Sequence, residues 1–148
     1  VTHVRQQVRD AVISSLADLP TTGGNCHSMR TYPRGEKADP ALLVYILQER
    51  SETFGIGGPG RDLERQIAVT IEAQARGAGF DDTLDQIAAE VETVMFANRK
   101  LGGLAIDTTL VETRLELATD RDDRRSGVLI LTYQVSVDGP EGNPEVVS

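Results

Sequence analysis

Few residues in this chain of 148 have the types for chemistry: one cysteine, Cys26, two histidines, His3 and His27, and scattered carboxylates. Cys26 and His27 are adjacent, and a thiol beside an imidazole is a nucleophile pair when a third group orients the ring. Neighbours in an extended segment point to opposite sides, and no such third group is evident. Ser14, Ser15, Ser28, Ser51, Ser126, Ser136 and Ser148 sit in no nucleophile-elbow pattern. Gly55-Ile56-Gly57-Gly58-Pro59-Gly60 has the G-x-G-x-x-G spacing of a dinucleotide loop, which needs a helix directly after the glycines. Strand-like alternation begins after Arg61 instead, and Pro59 removes an N–H donor. Asp81, Asp82 and Asp85 have the residue type for a metal, but acids at a helix start are favoured by its dipole without any ligand. Asp120-Arg121-Asp122-Asp123-Arg124-Arg125 lacks the glycine of a calcium loop, and its arginines repel a cation. Neither an enzyme nor a cofactor or metal site is expected.

The elements that would position these residues are easier to read. From Leu63 to Ala75, Leu63, Arg65, Ile67, Val69, Ile71, Ala73 and Ala75 alternate with Glu64, Gln66, Ala68, Thr70, Glu72 and Gln74, the period of a strand with one face buried. Gly77-Ala78-Gly79 breaks it, Asp81 or Asp82 caps a second element, and Leu84, Ile87, Ala88, Val91, Val94 and Met95 form one helical stripe there. The strand face and the helix stripe need each other, so the expected fold is α+β: a mixed, mainly antiparallel sheet of four to five strands with two helices on one face.

The first helix is expected over 3–17, with Val4, Val8, Ala11, Val12, Ser15 and Leu19 near one side; Pro20 and Gly23-Gly24 end it. A short extended segment is placed at 26–32, then a turn at Pro33-Arg34-Gly35-Glu36. Ala41 to Leu47 is a nearly continuous apolar run, the pattern of a central strand covered on both faces. A long connection, 48–62, would lead to the next strand. Beyond Gly102-Gly103, Val111, Thr113, Leu115 and Leu117 alternate with acids and Arg114, predicting a half-buried strand. A charged turn over 119–126 leads into Leu129, Leu131, Tyr133, Val135 and Val137, the buried side of its hairpin partner. One domain over 1–138 is expected, with 139–148 as a flexible tail.

Composition limits the partners. Hydrophobic residues make up 39% and charged residues 26%, an ordinary globular balance rather than a disordered one. The net charge of −8 offers no basic footprint for gripping nucleic acid. Residues 101–148 hold nine Asp or Glu against four Arg, whereas residues 1–40 hold four against five Lys or Arg. No run approaches the ~20 apolar residues of a membrane span, and Val1-Thr2-His3-Val4-Arg5 lacks a signal peptide's apolar core. Synthesis in the cytoplasm is the expectation, with an initiator methionine missing before Val1.

Several stretches together resemble the tail terminator, or tail completion, proteins of long-tailed bacteriophages and phage-like particles. They are His3-Val4-Arg5-Gln6-Gln7-Val8-Arg9-Asp10-Ala11-Val12, Leu16-Ala17-Asp18-Leu19, Tyr32-Pro33, Asp39-Pro40-Ala41-Leu42-Leu43-Val44-Tyr45 with Glu49 and Glu52 behind it, and Asp107-Thr108-Thr109-Leu110-Val111. The glycine loop at 55–60 has no match in that pattern. The resemblance implies a structural virion protein at the head-proximal end of the tail, forming a hexameric ring of its own copies. Such a ring caps the tail tube protein, stops tube growth and joins a neck or head-completion protein, while DNA passes through the channel without specific binding. No membrane is implicated. Candidate ring and tube contacts are Glu49, Arg50, Glu52, Phe54, Ile56 and Arg61 of the long connection, with Asp120, Arg121, Asp122, Asp123, Arg124 and Arg125 of the hairpin tip. Two other readings stay open. A neck or head-completion protein would bind the portal side rather than isolated tubes, and a small-ligand-binding α/β domain would be stabilised thermally by its ligand.

Overall fold

In a computed structural model of the chain, the described residues are 2–28, 40–54, 60–119 and 125–147. The elements are α1 (Val4–Leu16), β1 (Cys26–Ser28), β2 (Ala41–Phe54), β3 (Asp62–Arg76), α2 (Phe80–Ala97), a short 3-10 turn (Leu101–Gly103), β4 (Asp107–Thr119) and β5 (Arg125–Pro140). The strands form one sheet in the order β1-β2-β3-β5-β4, antiparallel except where β1 runs parallel to β2. This is the α+β fold expected, a mixed and mainly antiparallel sheet with two helices.

The long strand is where its alternation puts it. In β3, Arg65, Ile67, Val69, Ile71, Ala73 and Ala75 are buried and the intervening residues are half-buried. It is the middle strand, paired along its length with β5 and with most of β2. The buried side of β5 is Leu129, Leu131, Tyr133, Val135 and Val137, as the alternation predicts. Both helices add their stripes to this same core: Val4, Val8, Val12 and Leu16 from α1, and Leu84, Ile87, Ala88, Val91 and Met95 from α2. The α1 stripe therefore runs at steps of four through Leu16. Ser15 is only partly buried and donates its hydroxyl to the Ala11 carbonyl.

Neither Asp81 nor Asp82 caps α2. Its N-cap is Gly79, in the left-handed conformation at φ 73°, and the two acids sit in the first turn, where the helix dipole favours them. Gly127 explains how closely the helix approaches the sheet. A Cβ there would stand 2.6 Å from the Phe80 ring and 2.9 Å from a Leu84 methyl. The missing side chain is the space that the first turn of α2 occupies.

Four expectations need correction. The 48–62 connection is mostly strand: β2 continues to Phe54 and pairs with β3 from Gln48↔Ala68 to Phe54↔Asp62. A polar run reads as loop by composition, but the backbone ladder with β3 does not require apolar side chains. Second, β2 is covered on both faces only over Ala41–Val44; Leu47, at a bulge, is 76% exposed. Third, β4 is not half-buried in its second half. It is the edge strand, and Leu115 and Leu117 are 48% and 68% exposed. Fourth, the residues after Asp138 do not leave the domain. β5 runs to Pro140, the Val4 N–H donates to the Pro144 carbonyl at 2.8 Å, Gln7 donates to the Glu145 carbonyl, and Val147 packs on the core. Backbone hydrogen bonds hold this segment where its own apolar content is too small to.

Candidate assembly surfaces

Because both helices cover one face, the other face of the sheet is bare of helices among the described residues, and pairing register fixes what it displays. Across the rows from the β2 end it carries Arg50 beside Gln66 and Ser136, Glu52 beside Glu64 and Asp138, and Leu43 beside Glu72, Ile130 and Arg114. Asp62, Glu112 and Glu116 fall on the same face, as does Arg76; Asp107 shares that register, but its carboxylate lies 3.9 Å from Arg99, just beyond α2. Acids thus outnumber the three arginines. Amides and hydroxyls fill the gaps: Gln66 accepts from Gln134 and Ser136 and donates to Glu64, while Gln74 donates to Glu72 and the Tyr45 hydroxyl approaches Glu72 at 3.4 Å.

The potential of this face registers on Asp138. Burial first, then the carboxylates of Glu64 and Asp62, raise its pKa above the usual aspartate range. Its Oδ1 is buried and makes no hydrogen bond. A hollow of about 550 Å³ opens on this side, lined by Gln48, Arg50, Glu52, Glu64, Gln66 and neighbours. Gln48, Gln66 and Gln134 make its lining rich in amides, beside Ala68, Val111 and Tyr133. It has no converging nucleophile, base and oxyanion donor.

The candidate contact residues divide. Glu49 points to the helix side, where its Oε2 accepts from Arg5 at 3.0 Å and Arg65 at 3.2 Å. With Arg65 itself buried, Glu49 is an internal tie between α1, β2 and β3, not a projecting contact. His3 lies beside it, caps α1 through Nδ1 to the Arg5 N–H, and is held below the usual histidine range by burial and then by Arg5 and Arg65. Arg50 and Glu52 are exposed and make no ion pair among the described residues. Phe54 ends β2 and is 41% exposed. Arg61 precedes β3 and pairs with Glu141 at 2.6 Å, so it fastens the C-terminal segment. Arg125 opens β5 opposite Thr119. Ile56, Asp120, Arg121, Asp122, Asp123 and Arg124 lie outside the described residues.

Sequence reasoning missed the edges of the sheet. Among the described residues β4 has no strand on its outer side, and β2 is covered by β1 only at Leu42–Val44, which leaves Tyr45–Phe54 without a described neighbour there. The signal was present in β4: a strand whose alternate residues are Leu115 and Leu117 expects a cover that the described residues do not supply. Beside that edge, Phe96 of α2 is 71% exposed under the Arg99 guanidinium, at the rim of a hollow of about 310 Å³. Cys26 is buried among core residues, which pushes its thiol up to about 11 and disfavours the thiolate form. Among the described residues no cluster of histidine, cysteine and carboxylates could hold a metal, and no helix is long and apolar enough to cross a membrane.

No family model matches the chain, and no curated protein matches it. Among solved structures, it is similar to a chain of one described as the virion of a native gene transfer agent particle, with 18% identity and a TM-score of 0.42 over 90% of this chain and 92% of the other. A likeness of that size carries no functional statement.

Proposed function

We propose that this chain is a non-enzymatic structural virion protein: a subunit of a ring, six copies in the resemblance noted above, that closes the head-proximal end of a tail tube. The observation that carries this reading is the helix-free face of the sheet. It is broad, mostly polar and acidic, and no helix of the described residues packs over it; buried Leu43 and Ile130 are its apolar exceptions. Turned inward in a ring, such a face lines a channel. Carboxylates there repel phosphates, and amides offer only weak neutral contacts, so DNA slides instead of binding. The helices and the apolar core then lie to the outside, where they give the ring its wall.

In this reading the tube protein and a neck or head-completion protein meet the two rims, and the protein resides in the virion tail after synthesis in the host cytoplasm. Native mass of the purified protein, alone and mixed with tail tubes, tests it together with images of the tube ends. A ring of six chain masses, or a monomer that becomes a cap at tube ends, is the expected result. A monomer without affinity for tubes overturns it. The channel assignment has its own test: Glu64→Lys with Glu72→Lys should create salt-sensitive DNA retention that the unaltered protein lacks.

A further inference from the structure

The two open edges of the sheet are complementary to each other. We infer that β4 of one copy pairs antiparallel with the Tyr45–Phe54 part of β2 in the next copy, with Arg114 opposite Glu52 and Glu116 opposite Arg50 of that neighbour. This deepens the ring reading, on which it rests, by naming the contact that builds the ring.

Direction comes first. β2, β3, β5 and β4 alternate in sense, so rotating a copy about an axis within the sheet plane brings a β4 beside a β2 of opposite sense. That is the antiparallel arrangement, with alternating hydrogen bonds along both strands. It is also a heterologous contact, since different surfaces meet, and such contacts close into rings. An unpaired edge of thirteen residues invites association; β4 has no proline and is not short, and its guards are a bulge at Leu110/Glu112 and the charges of Glu112, Arg114 and Glu116.

Charge then selects the register. Glu52, Arg50, Arg114 and Glu116 all lie on the helix-free face, so a continuous sheet with its helices on one side must match them face to face. Slipping by one residue would turn every side chain to the wrong face. Slipping by two in one direction puts Arg114 opposite Arg50 and Glu112 opposite Glu52; slipping by two in the other puts Glu116 opposite Glu52. Only the register stated sets both arginines against acids, and like charges directly opposite are destabilising. Arg50 and Glu52 make no ion pair within their own copy among the described residues, and Arg114 has only its exposed neighbour Glu116 at 3.3 Å.

The same register uses Glu112–Leu117 against Glu49–Phe54 and stays clear of Leu42–Val44, where β1 is already paired. It also covers what the fold leaves bare. Leu115 and Leu117, on the helix side of β4, come beside Ser51 and Glu49 of the neighbour, next to the stem of the Arg5 that grips Glu49 there. The pairing row of one copy does not return to its own height in the next, so the strands tilt around the ring, as closed sheets require.

The test is a pair of cysteines in one chain, Ser51→Cys with Leu115→Cys, both at exposed positions. Within a copy β3 and β5 separate these residues by about 14 Å across the strands, and Leu115 lies in the row of Leu42 and not of Ser51, so they are too far apart for a disulfide. Between copies they are directly opposite and within disulfide range. Mild oxidation of assembled protein should give a ladder of linked chains on a non-reducing gel, at least tenfold stronger than from the slipped pairs Ser51→Cys with Thr113→Cys and Thr53→Cys with Leu115→Cys. The unaltered protein, with Cys26 alone, controls for stray linkage. In parallel, Glu52→Arg should weaken association at least tenfold, and Glu52→Arg with Arg114→Glu should restore it. Rings or tube caps that form without the ladder, or a slipped pair that links better, would overturn the edge pairing while the ring stands. Absence of any assembly, with or without tubes, would overturn both.

Discussion

The two faces of one sheet follow opposite rules in this protein. On the helix side, β3 presents Ile67, Val69, Ile71 and Ala73, all fully buried; one residue along, on the other side, it presents Gln66, Ala68, Thr70 and Glu72, none buried. The backbone is common to both, so the difference isolates what side chains do. One face holds the fold together by removing apolar surface from water, at roughly 25 cal/mol per Å². The other buries fewer apolar side chains, chiefly Leu43 and Ile130, so it contributes less to stability and its composition is less constrained by the core.

Substitutions on adjacent residues of β3 should separate the two most strongly. Ile71→Ala is expected to cost about 2–5 kcal/mol, read from urea midpoints, whereas Thr70→Ala should stay within about 0.5 kcal/mol. Equal losses would mean that the second face is also structural in the isolated chain. Next in size is the polar exception on the buried face. Glu49→Ala should cost about 3 kcal/mol by leaving Arg65 buried without its acid, and Glu49→Leu with Arg65→Met should recover most of that loss.

Smaller effects come from carboxylates, and their pH dependence gives the sign. Burial alone would raise the Glu90 carboxyl, but hydrogen bonds from the Thr21 hydroxyl and N–H and from Gln86 hold it below the usual glutamate range. A lowered value in the folded state means stability that is present above the unfolded value and lost as pH falls through the folded one. Glu90→Gln should therefore cost about 1 kcal/mol at neutral pH, and thermal melts should show the difference shrinking in acid. Asp138 on the open face has the opposite sign. Its raised value means that protonation favours the fold, so stability falls as pH rises from the unfolded value through the folded one. Asp138→Asn should leave the melting temperature unchanged or raise it slightly at neutral pH, with no gain in acid. A loss at neutral pH would show that the crowded carboxylates are tolerated for a reason internal to the chain.

Much of this was legible because it is local. β3, β5 and α2 announce themselves through strict periods, and the residues they bury are those that the periods mark. What failed did so where a partner, not a period, decides. Glu49-Arg50-Ser51-Glu52-Thr53 is polar enough to read as loop, yet it is strand because β3 lies alongside to accept its backbone hydrogen bonds. Glu49 looked like a surface acid, and is instead drawn to the helix side by Arg5 and Arg65, two residues distant in sequence. Gly139-Pro140 and the residues after them look too polar to stay, but a Cβ at Gly139 would stand 2.5 Å from the Val146 carbonyl oxygen. Projecting charges and the apolar Phe54 and Ile56 beside the glycines are what the sequence offers as candidate contacts. The open edges of β2 and β4 are a property of strand order, which no stretch of residues states.

By itself the sequence determined the α+β class, the long central strand, the two helical stripes and a net charge of −8. Only the tertiary structure decided that β4 is the edge strand, that Leu115 and Leu117 stay bare, and that the acids of β2, β3, β4 and β5 fall on one face. The physical reason is range. Periodicity reports whether a residue has a buried side, an effect of its own element, whereas strand order and the sum of charges on a face depend on which elements the chain brings together across the whole fold.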